Sequence, residues 1–220
     1  MHIKNYSLYL VISSEYALDR PALEIAESAI AAGVDIIQLR EKNKDKNELI
    51  NLACKVRELC HKKNVVFIVN DDPHIAKTSG ADGVHLGQED LLKLPVNEAR
   101  NIIGQNKIIG VSTHSLDEVR KANSADIDYI AYGPIFSTQT KTYFLGTKDV
   151  KEVLSLSKKP VVFIGGIKLS NINEILDLGA KNIAAIRGIL EAADIESCAR
   201  KFKKEIVLRK GKTDVYKNKR

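Results

Sequence analysis

Short apolar runs alternate with longer amphipathic stretches along this chain, and the alternation repeats eight times. The apolar runs are Leu8–Ile12, Ile36–Leu39, Val65–Val69, Gly83–Leu86, Ile108–Val111, Tyr129–Tyr132, Val161–Ile164 and Ile183–Ile186. They are rich in Val and Ile and bounded by Gly, Asn, Asp or Pro, the pattern of parallel strands buried on both faces. Between them the periodicity predicts helices, most clearly over Pro21–Ala32, Lys46–Lys62, Leu116–Asn123, Asn171–Leu178 and Ile195–Ile206. Asp19 is placed to cap the first, with Pro21 in its first turn and Gly33 past its end. Ser170 and Gly179 bracket the helix before the last strand in the same way. An echo supports the repeat: Ala32-Gly33-Val34-Asp35, Gly80-Ala81-Asp82-Gly83 and Gly179-Ala180-Lys181-Asn182 each join a helix end to the next strand.

A βα unit repeated eight times closes most naturally as a barrel. A doubly wound open sheet calls instead for a glycine-rich turn after the first strand. Here that strand runs into Ser13-Ser14-Glu15-Tyr16, which has no glycine. The expected fold class is therefore α/β, a single-domain (β/α)8 TIM barrel over residues 1–208, with a basic, flexible tail at 209–220.

Charge does not point to nucleic acid. The net charge is +6, but residues 201–220 alone carry nine Lys/Arg against two Asp/Glu, so the body is nearly neutral. No aromatic RNA-binding signature accompanies the basic end. No apolar run is long enough to span a membrane, and the polar start leads into a run too short for a signal peptide. A cytoplasmic location is the expectation. The three cysteines, Cys54, Cys60 and Cys198, lack the spacing of a disulfide framework or a zinc site.

Barrels of this kind carry their chemistry at the carboxyl-terminal ends of the strands. After the second strand, alternation puts Gln38, Arg40 and Lys42 on one face and Leu39 and Glu41 on the other. Two inward cations at a barrel mouth call for an anion, and phosphate or diphosphate is the natural one. The third strand ends in Asn70-Asp71-Asp72 and the fourth is followed by Gln88-Glu89-Asp90. Asp72 reads as a helix cap before Pro73, which leaves Asp71 and Asp90 to converge on a hard cation such as Mg²⁺. His85 reads as an interior residue. Ser112 and His114 end the fifth strand, and Ser115 with Glu118 reads as a capping box. Ser137, Thr138, Gln139, Thr140 and Lys141 suit an anion-binding loop. Gly165-Gly166 and Ile186-Arg187-Gly188 end the last two strands, where barrels frequently hold phosphate. The layout thus holds two anionic subsites, one with metal-binding carboxylates and one for a simple phosphate.

QLREK (38–42), VNDD (69–72), GVHLGQED (83–90), GVSTH (110–114), GPIFSTQTK (133–141) and IGGI (164–167) resemble, in order, the motifs of the thiamine-phosphate synthase family. The resemblance spans nearly the whole barrel. It implies a transferase of thiamine biosynthesis that joins 4-amino-2-methyl-5-(diphosphooxymethyl)pyrimidine to 4-methyl-5-(2-phosphoethyl)thiazole, with Mg²⁺ as cofactor, releasing diphosphate. By motif position, Gln38, Leu39, Arg40, Glu41, Lys42, Asn70 and Ser112 would hold the pyrimidine diphosphate, with Lys141 on its diphosphate. Asp71 and Asp90 would bind Mg²⁺. Thr138, Gln139, Thr140, Gly166, Ile186 and Arg187 would hold the thiazole phosphate. Arg40, Lys42, Ser112 and Lys141 form the implied catalytic set. The partners implied are these two small molecules, with no nucleic acid and no membrane; self-association is left open.

Two departures from the family pattern stand out. Arg187 occupies a position where the family usually has serine, and Thr142–Gly146 is shorter than the usual loop. His114 keeps open a metal-free thiazole tautomerase, a related barrel. Arg187 keeps open a non-catalytic barrel that only binds phosphorylated metabolites.

Overall fold

The computed structural model describes residues 3–139 and 142–217, with side chains through Lys210. The strands are β1 (Leu8–Ile12), β2 (Ile36–Leu39), β3 (Val66–Asn70), β4 (Gly83–Leu86), β5 (Ile108–Thr113), β6 (Tyr129–Tyr132), β7 (Val161–Phe163) and β8 (Asn182–Ala185). The helices are α1 (Ala22–Ala31), α2 (Lys46–Lys62), α3 (Pro73–Ser79), α4 (Gln88–Lys93), α5 (Val96–Ile103), α6 (Leu116–Ala122), α7 (Val150–Leu156), α8 (Ile172–Leu176), α9 (Arg187–Leu190) and α10 (Ile195–Lys217). The strands pair in sequence order, all parallel, and β8 returns to β1 to close the barrel.

Alternation along each strand sorts the core into two layers. Tyr9, Val11, Ile36, Ile68, Ile108, Tyr129, Val162 and Ala184 pack together inside the barrel. Leu10, Ile37, Leu39, Phe67, Val69 and Ile183 face outward into the layer beneath the helices. Gly110 is an inward position left empty for a neighbour. A Cβ there would lie 2.0 Å from the Tyr129 ring, so the glycine is what admits that tyrosine to the interior.

The junction echo has a structural meaning. Asp35 accepts from Leu8 N at 2.7 Å, Asp82 from Phe67 N at 2.9 Å and Asp128 from Ile109 N at 2.8 Å. Asn182 accepts from Ser7 N at 3.1 Å. An acidic or amide residue at the start of one strand thus satisfies an amide at the start of a neighbouring strand, which ties the amino-terminal rim together. Arg100 of α5, 4% exposed, clamps the same rim. Its guanidinium bonds to Asp126 at 3.0 Å, Asp128 at 2.9 Å and the Asp126 carbonyl at 3.0 Å.

Several local expectations change. α1 is capped by Pro21, with no side-chain cap bond, and not by Asp19, which takes φ 60 in the connection before it. α8 starts after Asn171 and not after Ser170, because the chain makes one more turn before turning helical. Asp72 does cap α3, accepting from His74 N and Ile75 N with Pro73 following. Ser115 accepts from Glu118 N at 3.2 Å, but the Glu118 carboxylate takes the amide of His114 at 2.6 Å, one residue ahead of the cap. The boundary expected at residue 208 falls inside α10, where Arg209 pairs with Asp177 at 2.8 Å, so the chain passes that point as helix.

Candidate active site

The carboxyl-terminal ends of the strands open on a cavity of about 450 Å³. β2 supplies Gln38, Arg40 and Lys42 to its wall, as alternation requires. The other parity points away from it: Leu39 is buried in the barrel–helix layer, and Glu41 accepts from the backbone amide and hydroxyl of Ser14. Arg40 pairs with Glu15 at 3.6 Å, yet its Nη1 is buried without a hydrogen-bond partner. A buried guanidinium N–H left in this state is poised for an anion.

β3 and β4 bring the two predicted carboxylates together. Asp71 sits just past β3 at φ 65, a conformation that Asp and Asn tolerate better than most residues. Its amide donates to the His85 carbonyl at 2.8 Å. Asp90, in the first turn of α4, accepts from Gly87 N at 2.9 Å and shares a hydrogen bond with Asp71. Burial first, and then the Asp90 hydrogen bond and charge, push the Asp71 carboxyl up to about 7, while Lys42 and Arg40 pull it down. Two carboxylates crowded in this way favour a cation between them. The donor set fits Mg²⁺, which commonly takes one or two carboxylates and completes its shell with water and phosphate oxygens. No group of three or more His, Cys, Asp or Glu converges among the described residues, so a cage built wholly from these side chains is not the arrangement here.

Asn70, His85, Ser112 and His114 line the next part of the wall. His85 is buried inside the barrel, as expected, and burial holds it neutral with a pKa near 4. His114 directs Nδ1 to the Gly133 carbonyl and meets the edge of Tyr143 at 6.3 Å between centroids.

The loops after β6, β7 and β8 form the far end. Ser137, Thr138, Gln139, Gly166, Ile186 and Arg187 all line it. Thr140 and Lys141 lie outside the described residues. Gly166 has a packing reason beside any role toward phosphate. At φ 65 its Cβ would fall 2.5 Å from the Ser137 carbonyl oxygen and 2.7 Å from that of Phe136. The loop after β6 therefore lies directly on the loop after β7, held by Phe136 N donating to the Gly165 carbonyl at 3.0 Å. Arg187 opens α9 with its guanidinium bound to Glu191 and Gln139 and placed 5.5 Å over the Tyr16 ring. Lys168 and Glu191 also line this end, and sequence reasoning missed both. Each lies a residue or more beyond its glycine motif, with no strand parity to aim it. Tyr9 and Tyr129 were missed because both read as ordinary apolar strand residues.

A closed (β/α)8 barrel with inward cations, paired carboxylates and glycine loops at its strand ends belongs to the class of barrels that handle phosphorylated small molecules. Sequence and structure comparisons narrow that class. The family model for thiamine monophosphate synthase matches residues 8–189. A thiamine-phosphate synthase of Halalkalibacterium halodurans is 40% identical over 203 residues, 91% of this chain and 95% of that protein. Thiamine-phosphate synthase 1 of Aquifex aeolicus is 37% identical over 202 residues, 91% of this chain and 93% of that protein. A solved structure of thiamine phosphate pyrophosphorylase from Pyrococcus furiosus superposes with a TM-score of 0.84 at 30% identity, covering 93% of this chain and 96% of that one. The chain belongs to the thiamine monophosphate synthase family.

Proposed function

We propose that this chain is a thiamine-phosphate synthase, a transferase that condenses the aminopyrimidine diphosphate with the thiazole phosphate to give thiamine phosphate and diphosphate. The observation that carries the reading is one cavity with two unlike anion subsites. Arg40 and Lys42 line one end, with the Asp71–Asp90 pair close enough for Asp71 to feel both cations, and the β6–β8 loops line the other. Bound at Asp71 and Asp90, Mg²⁺ would supply positive charge that stabilises the departing diphosphate.

The chain's own residues do the rest. Arg40 and Lys42 bind the diphosphate, with Lys141 added by motif position, and hold its charge as it leaves. Gln38, Asn70 and Ser112 orient the pyrimidine. The carbon–oxygen bond to diphosphate breaks, positive charge builds on the methylene carbon, and the electron-rich aminopyrimidine spreads it. The thiazole nitrogen then forms the new carbon–nitrogen bond. Thr138, Gln139, Thr140, Gly166, Ile186 and Arg187 hold the thiazole by its phosphate. No protein nucleophile is required. Both substrates are charged metabolites, which suits a cytoplasmic reaction, and no helix among the described residues is long and apolar enough to cross a membrane.

The test is the two-substrate assay with Mg²⁺ present and then chelated. Thiamine phosphate forms only with the metal. Equal rates without it, or binding of the pyrimidine diphosphate that ignores Mg²⁺ in calorimetry, would remove the metal from the reading.

Arg187 gives a second prediction. Replacing it with serine leaves the Glu191 carboxylate uncompensated beside the phosphate end. Loss of one charge-assisted contact raises the KM for the thiazole phosphate by about tenfold or more, with the KM for the pyrimidine diphosphate unmoved. An unchanged thiazole KM would show that the guanidinium stays with Glu191 and Gln139 throughout turnover.

A further inference from the structure

Beneath the cavity a single line of hydrogen bonds crosses the barrel interior. Gln38 Nε2 donates to the Tyr9 hydroxyl at 2.7 Å. The Tyr9 and Tyr129 hydroxyls are 2.9 Å apart. The Tyr129 hydroxyl lies 3.0 Å from His85 Nδ1, and His85 Nε2 lies 2.9 Å from Ser112 Oγ. The first three links are buried among the inward residues of the barrel and the last, His85 to Ser112, is part-buried at the cavity wall, which both ends, Gln38 on β2 and Ser112 on β5, line.

Counting donors settles the direction. Gln38 Nε2 can only donate, so Tyr9 accepts there and must place its own proton on Tyr129. Tyr129 accepts from Tyr9, and its proton has one remaining partner, His85 Nδ1. That nitrogen is therefore the acceptor, and His85 is the neutral tautomer with its proton on Nε2, which donates to Ser112 Oγ. Burial holds both phenols protonated, as the count requires. Gln38 is left with its Oε1 acceptor for the cavity, and Ser112 with its hydroxyl proton. Turning the Gln38 amide over would reverse every bond in the line and exchange donor for acceptor at both ends. The two ends are thus coupled through residues that do not themselves react.

We propose that Tyr9, Tyr129 and His85 are positioning residues that fix the polarity of Gln38 and Ser112, so that the cavity selects a ring with an N–H donor on one side and a bare ring nitrogen on the other. The selection rests on the synthase reading, since an aminopyrimidine has this pattern. The pyrimidinone in which the amino group becomes oxo has it inverted. Breaking the line at Tyr9 lets the Gln38 amide turn over and relaxes the choice.

Two measurements test this. In full-length wild-type protein with ¹⁵N-labelled histidine, NMR finds His85 with its proton on Nε2; a proton on Nδ1 overturns the assigned polarity. In the assay, wild type prefers the amino over the oxo diphosphate, and Tyr9→Phe and Tyr129→Phe each reduce that preference by about tenfold or more, one hydrogen bond's worth, with the KM for the thiazole phosphate unchanged. A preference kept intact in folded variants, or a loss shared equally by both KM values, makes the line merely structural. If wild type uses neither diphosphate, the synthase reading fails, and the His85 tautomer still decides the polarity.

Discussion

Asp90→Asn lowers kcat/KM for thiamine phosphate formation by about a thousandfold, the scale on which preorganised charge stabilisation is lost. Asp71→Asn does the same. Asparagine is the informative replacement at Asp71 because it tolerates the φ of 65 there, whereas alanine adds backbone strain. The fold survives both changes, since each replaces a half-buried carboxylate with an amide of the same shape and neither residue belongs to the apolar core. The metal-free protein even gains stability in Asp71→Asn. The Asp71 carboxyl is raised to about 7 from an ordinary 3.8, so between those values the folded state holds a proton that the unfolded chain has lost. Stability from this group therefore falls as pH rises through that window, and the cost is complete above it. At pH 8 without metal, Asp71→Asn melts higher than wild type. Added Mg²⁺ raises the melting temperature of wild type by binding the folded state and leaves the variant nearly unmoved. Steady-state kinetics and differential scanning calorimetry read both effects. Full activity in the two variants would remove the carboxylate pair from the chemistry.

Arg100→Met costs about 2–3 kcal/mol, less than the penalty for breaking a fully buried pair because the aspartates it leaves behind reach solvent. In a chain of this size that lowers the melting temperature by roughly 4–12 °C. The guanidinium is nearly inaccessible and holds Asp126, Asp128 and the carbonyls of Asp126 and Lys107. Asp128 in turn satisfies the amide of Ile109 at the start of β5. Removing the cation leaves carboxylates and carbonyls facing one another at the rim opposite the active site. Because that rim is remote from the cavity, kcat and both KM values per folded molecule stay at wild-type levels at 25 °C. A melting shift below about 2 °C, under 1 kcal/mol for this size, would show that the capping aspartates hold the rim without Arg100.

The contrast between these residues follows what could be read in advance. Strand parity alone separates Gln38, Arg40 and Lys42 from Leu39 and Glu41, and the structure keeps that division. Asp72 announces itself as a cap because Pro73 follows it, and that leaves Asp71 to stand beside Asp90. Asp19 and Ser170 have equally good capping chemistry and cap nothing, because the backbone path into each helix chose another residue. Gly166 is legible as a glycine that matters, but its reason, the carbonyls of Phe136 and Ser137 pressed against it, comes from a loop some thirty residues earlier.

The sequence by itself determined the eightfold alternation, the inward face of each strand and the strand ends where charge collects, because these depend on neighbours a few residues apart. Tertiary structure alone decided which inward side chains meet. Closure of β8 onto β1 and the stagger of the strands bring Tyr9 to Tyr129, place His85 under Ser112, and set Arg187 between Gln139 and Glu191. Those meetings join residues up to 120 positions apart, and no local periodicity encodes the register of a closed barrel.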